Sequence, residues 1–151
     1  MQNTERARVV SVGREWLRTP YAHQHRAKGI GADCAGLVHG VGTEARVLKV
    51  SPEALAPFLR YSSTPNPNFL RRYLETFYVR SAVPADQIAP DGSIAWMAWR
   101  QNLPMHLALV ATAFGRRTII HSCEPFGMCV EHTLDEQWRS KVQSWWDYPG
   151  G

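Results

Sequence analysis

A chain of 151 residues, 44% hydrophobic and 20% charged, is long enough to bury one sizeable core and too apolar to be disordered. Its formal charge of +4, from 17 Lys and Arg against 13 Asp and Glu, is a modest excess that either steers it toward an anionic partner or is simply a solvated basic surface. No basic run is interleaved with aromatics, so a nucleic-acid partner is not expected, and no segment reaches the roughly 18 apolar residues of a membrane span.

Met1–Arg8 is polar and mixed in charge, without the apolar run of a secretory signal, which predicts a chain made in the cytoplasm and exported, if at all, by another route. Val9, Val12, Trp16 and Leu17 stand near helical spacing. They predict a helix closed by Thr19–Pro20, because the residue before proline avoids the helical region. Tyr21 follows, an aromatic whose commonest use is core packing. The loop Ala22–Ala32 then carries His23, His25, Arg26 and Lys28. Two histidines one residue apart near a cysteine raise the question of zinc, but no CxxC or HxxxH pair accompanies them. No metal is expected, and the loop reads as a basic wall of a groove.

Asp33–Cys34–Ala35–Gly36–Leu37–Val38 has what a nucleophilic thiol needs at a helix start. Asp33 can cap the free N–H groups of the first turn. Cys34 then sits where the helix dipole favours the thiolate, the attacking form, and draws its pKa below the usual 8.5 or so. The alternative is a buried cysteine acting as a small hydrophobe. Leu37, Val38 and Val41 make an apolar stripe. Gly36 and Gly40, each costing about 1 kcal/mol against alanine in a helix, predict close packing against a sheet. The helix is expected to run to about Leu48.

Ser51 and Pro52 are an N-cap and first-turn pair that open another helix. Ser62, Ser63, Pro65, Asn66 and Pro67 then break the chain in a loop from Tyr61 to Asn68. Phe69, Leu70, Tyr73, Leu74 and Phe77 line one side of a predicted helix over Asn68–Arg80, which could pack, form a lid or dock a partner.

From Ala89 the period changes to that of strands. Turns at Pro90–Gly92 and Gly115 separate Ser93–Trp99, Met105–Ala113 and Thr118–Ser122. A turn at Glu124–Gly127 leads to Met128–Thr133, and Val142–Trp146 follows a short helical turn over Leu134–Arg139. That turn sets Cys123 against Met128 rather than Cys129, so no bridge is expected, three cysteines being too few for a disulfide framework. Trp145, Trp146 and Tyr148 either close the core or form an aromatic contact patch. Helices followed by an antiparallel meander make the chain α+β, read as a single domain over 1–151.

His106 opens an apolar strand, and His121 stands 15 residues later across the Gly115 turn, near enough for adjacent-strand contact. Cys34, His106 and His121 thus make a candidate nucleophile, base and orienter. His39 and His132 have no such arrangement and read as structural or surface residues.

Four ordered motifs resemble those of the NlpC-type cell-wall cysteine peptidases, especially their phage-tail branch: Trp16–Leu17–Arg18–Thr19–Pro20–Tyr21, Asp33–Cys34–Ala35–Gly36–Leu37–Val38, His106–Leu107–Ala108–Leu109–Val110 and Ile120–His121–Ser122. The resemblance covers about residues 8 to 146 and has no motif between 48 and 85. Ala35 stands where the family often has serine, and Ala22–Ala32 lacks the Trp–Gly-rich character common there. The resemblance implies a papain-like core with the nucleophile helix packed on a central antiparallel sheet. It also implies a Cys34, His106, His121 triad without a cofactor, with Tyr21 and Asp33 at the oxyanion and substrate side. The implied substrate is an amide in the peptide stem of bacterial peptidoglycan, and the implied partners are phage-tail or particle proteins that carry the enzyme from the cytoplasm to the wall. An amidase or acyltransferase on the same scaffold, or a wall-binding module with a relic site, are the alternatives.

Overall fold

The computed structural model describes residues 1–62 and 66–151, so Ser63 and Pro65 of the predicted loop lie outside the described residues. Helix α1 spans Asn3–Glu15, earlier at both ends than the apolar spacing predicts. Its start comes from a capping box between Gln2 and Glu5 in the polar segment. Arg18, in a left-handed conformation, follows its end. The loop beyond is a two-stranded hairpin of β1 (Arg26–Ala27) and β2 (Gly31–Ala32), too short for a periodicity to reveal.

Helix α2 spans Cys34–Glu44 and stops four residues short of Leu48. Arg46 takes a left-handed conformation, and the Val47 and Leu48 N–H groups donate to the Gly42 carbonyl at 3.0 and 3.1 Å, which satisfies a carbonyl that continuation would have paired. Its glycines do not face the sheet as predicted. A methyl at Gly36 would lie 2.0 Å from the His25 carbonyl oxygen of the hairpin approach, and one at Gly40 would lie 2.3 Å from the Trp16 ring.

Helix α3 is Pro52–Leu55, capped by Ser51, and passes directly into a single tighter turn over Ala56–Phe58. Helix α4, Pro67–Phe77, buries Leu70, Tyr73 and Leu74. It ends before Arg80 because Val79–Arg80 form strand β3.

Strands β4 (Ile94–Ala98), β5 (Pro104–Ala113), β6 (Arg116–Cys123) and β7 (Met128–Thr133) form the expected meander, with Cys123 paired to Met128. After the short helix α5 (Glu136–Arg139), strand β8 (Val142–Asp147) enters between β3 and β4. The six-stranded antiparallel sheet therefore runs β3-β8-β4-β5-β6-β7.

Alternation along β5 splits the core. Leu107, Leu109 and Ala111 join Val9, Leu37 and Val41 in the helix-side cluster, while Ala108 and Val110 join Ile119, Leu134 and Trp145 behind the sheet. Trp145, Trp146 and Tyr148 are all buried, so they close the core rather than form a contact patch.

Candidate active site

Asp33 caps α2 as its position predicts: one carboxylate oxygen accepts the Gly36 N–H at 2.8 Å, and the other accepts the Gln24 N–H at 2.8 Å and the Tyr61 hydroxyl. One buried carboxylate thus ties the helix start to the hairpin loop and to Tyr61. It lines the cleft, but both its oxygens are engaged within the protein.

Cys34 begins the helix at the floor of a cleft of about 270 Å³ that it shares with Tyr21, Asp33, His106 and Ser122. The expected low-pKa thiolate is not what this environment produces. Burial, followed by the Asp33 charge, pushes the thiol up to about 12, and the Leu107 and Ala35 N–H groups oppose them only in part. This environment favours the Cys34 thiol over the thiolate.

His106, His121 and His132 lie on the rear face of the sheet, on three neighbouring strands. Nε2 of His106 is 2.7 Å from Nδ1 of His121, Nε2 of His121 is 2.7 Å from Nε2 of His132, and Nδ1 of His132 is 3.0 Å from the Thr133 carbonyl oxygen. The first pair is as expected from the sequence. The third ring corrects one part of the expectation for His132, that it has no place in the row, and a signal for it was present. A turn that sets Cys123 against Met128 also sets Ile119 against His132, on the face that carries His121. His106 is 3% exposed and His121 is fully buried. Burial, followed by the charges of neighbouring groups, draws their pKa values down to about 3 and about 2, so both rings are neutral at physiological pH. Trp99 stacks on His106 with ring centres 4.3 Å apart. Trp138 packs against His121 and His132 at 5.1 and 4.7 Å.

Tyr21 is held at the cleft by the bond from its N–H to the Gly127 carbonyl. Burial, with the nearby Asp33 and Cys34, pushes its phenol up to about 12, so it keeps a proton to donate. Tyr61, which no motif marked, stacks near Phe69 and stands across the cleft. Of the predicted basic wall only His23 lines this cleft; Arg60, Arg72 and Arg100 join it from outside the loop, and Lys28 pairs with Glu44 at 3.0 Å. Arg100 is matched by Glu124 at 2.9 Å across the rim. His23 Nε2 meets the Tyr61 carbonyl, and His25 Nδ1 meets the His23 carbonyl. Cys129 is buried in the core and Cys123 at the cleft wall, and all three cysteines are free.

Neither a protein-family model nor a curated protein matches the sequence. Solved structures do match by fold. The NlpC/p60 domain of the peptidoglycan hydrolase SagA is 15% identical, with a TM-score of 0.54 over 94% of this chain and 97% of its own. An NlpC/P60 family protein from Bacillus cereus is 17% identical, with a TM-score of 0.61 over 95% of this chain and 40% of its own. An N-acetylmuramoyl-L-alanine amidase from Bacteroides uniformis is 15% identical, with a TM-score of 0.56 over 96% of this chain and 97% of its own. The chain has the α+β, papain-like fold of the NlpC/p60 domains.

Proposed function

We propose that the protein is a cysteine peptidase that hydrolyses an amide bond in the peptide stem of bacterial peptidoglycan. The observation that carries the reading is a thiol at a capped helix start sharing one cleft with His106, whose ring is bonded to the buried His121. The fold, shared with a domain of a peptidoglycan hydrolase, supports the choice of substrate. The cationic side chains of Arg60 and Arg72 suit the free carboxylates of a stem peptide.

In this mechanism the Cys34 sulfur attacks the carbonyl carbon as its proton passes to the free nitrogen of His106. The transfer accompanies the attack, because burial disfavours both the thiolate and the imidazolium that a prior transfer would leave. The Cys34 N–H and the Tyr21 hydroxyl stabilise the oxyanion, His106 returns the proton to the leaving amine, and water releases the acyl group from sulfur. His121 holds the His106 ring in orientation. Asp33 keeps the nucleophile's turn in place. No cofactor enters these steps. The motif order supports delivery to the wall from the bacterial cytoplasm as part of a phage tail or phage-like particle.

The fold likeness to an N-acetylmuramoyl-L-alanine amidase favours one second reading, in which the bond cut is the one joining the stem to the sugar. Digestion of purified sacculi, read by mass spectrometry, decides both. Products with a new amine inside the stem support the peptidase, and intact stems released from the glycan support the amidase. The wild-type protein is expected to release fragments and Cys34→Ala to release none. Equal release by both proteins would end the assignment of Cys34 as nucleophile.

A further inference from the structure

We infer that His132 is a positioning residue that sets the proton arrangement of the whole histidine row, keeping His106 in the tautomer able to accept the Cys34 proton. The inference rests on the reading of His106 as the base and extends the row by a residue outside the cleft.

The Thr133 carbonyl oxygen can only accept, so Nδ1 of His132, at 3.0 Å, carries a hydrogen and donates it. A neutral His132 therefore presents a bare Nε2. His121 Nε2, at 2.7 Å, must donate to it, which leaves His121 Nδ1 bare. That nitrogen in turn accepts from His106 Nε2 at 2.7 Å. His106 then carries its hydrogen on Nε2, and its other nitrogen, Nδ1, is the free base. One backbone carbonyl thereby dictates three tautomers in sequence.

Without that anchor the inner pair has two arrangements of equal hydrogen-bond count. In the second, His121 donates from Nδ1 to His106 Nε2, and His106 Nδ1 carries the hydrogen and cannot receive one from sulfur. Phe126 and Trp138 fix the His132 ring, at 5.7 and 4.7 Å between ring centres. Because His121 is fully buried, no solvent molecule replaces the lost acceptor without opening that packing.

Long-range proton–nitrogen NMR of the histidine rings tests this at pH 8, above the ordinary imidazole range near 6.5. The wild-type protein is expected to show Nε2–H at His106 and His121 and Nδ1–H at His132. Any other tautomer at His106 in the wild type overturns the inference with no variant needed. In His132→Phe the His106 signals should become mixed, and kcat on a stem peptide should fall roughly two- to tenfold, the worth of one neutral hydrogen bond, with KM unchanged. His132→Gln, whose amide oxygen can accept from His121, should restore the Nε2–H form and most of kcat. An Nε2–H His106 together with an unchanged kcat in His132→Phe would also overturn it. The ring spectra need no substrate, so a protein with the expected tautomers that cuts no stem peptide would refute the functional reading and leave the tautomer assignment standing.

Discussion

At Cys34 two opposing fields meet, and the outcome is set by how much water each group has lost. The helix dipole and two N–H groups act on a thiol whose burial outweighs them. Alkylation of Cys34 by iodoacetamide should therefore rise about tenfold per pH unit between pH 6 and 9, following the small thiolate fraction. Peptide mapping after short pulses measures it, and a plateau already reached at pH 6 would reveal a thiolate–imidazolium pair instead. Asp33, Cys34, His106 and His121 were legible because caps and strand openings are written in neighbouring residues. The protonation state was not, since desolvation depends on segments distant in sequence. Tyr61 carried no local mark either: it reaches Asp33 from 28 residues away.

Among the elements, α2 is the one whose placement decides the site, and Gly36 decides how closely the hairpin approaches it. Gly36→Ala would gain about 1 kcal/mol of helix propensity. The new methyl would meet the His25 carbonyl, a backbone atom, at 2.0 Å, and such overpacking costs about 1–3 kcal/mol. A net loss of stability in urea denaturation is expected; a gain would show that the hairpin yields freely. The glycine spacing was legible as a sign of close packing, but its partner was not. Helix periodicity says which side is flat and says nothing of what lies on it. The same holds for the end of α2, where Arg46 turns left-handed without the glycine that usually announces such a stop.

For the molecule as a whole, burying neutral histidines couples stability to acid. His106 and His121 have folded pKa values near 3 and 2 against about 6.5 when unfolded, so the unfolded chain binds more protons between those limits. Stability is then highest above pH 6.5 and declines as pH falls toward 3. Between pH 7 and 5, above the ordinary carboxylate range, the urea midpoint should drop by the equivalent of a few kcal/mol. A double variant with His106→Gln and His121→Gln should reduce that slope, with His39, drawn down by burial and by Arg26 to about 4, supplying what remains. An unchanged wild-type midpoint would mean that these rings are charged in the folded state. The α+β class and the meander were legible from periodicity, whereas the position of β8 was not, because a strand's pattern does not name its neighbours. That position also orders events in time. Val142–Asp147 follow every other described strand yet occupy the slot between β3 and β4, so during synthesis β4 holds an unpaired edge after the strands of the meander have been made. Until the last strand leaves the ribosome, the nascent protein carries an open template for pairing with another chain.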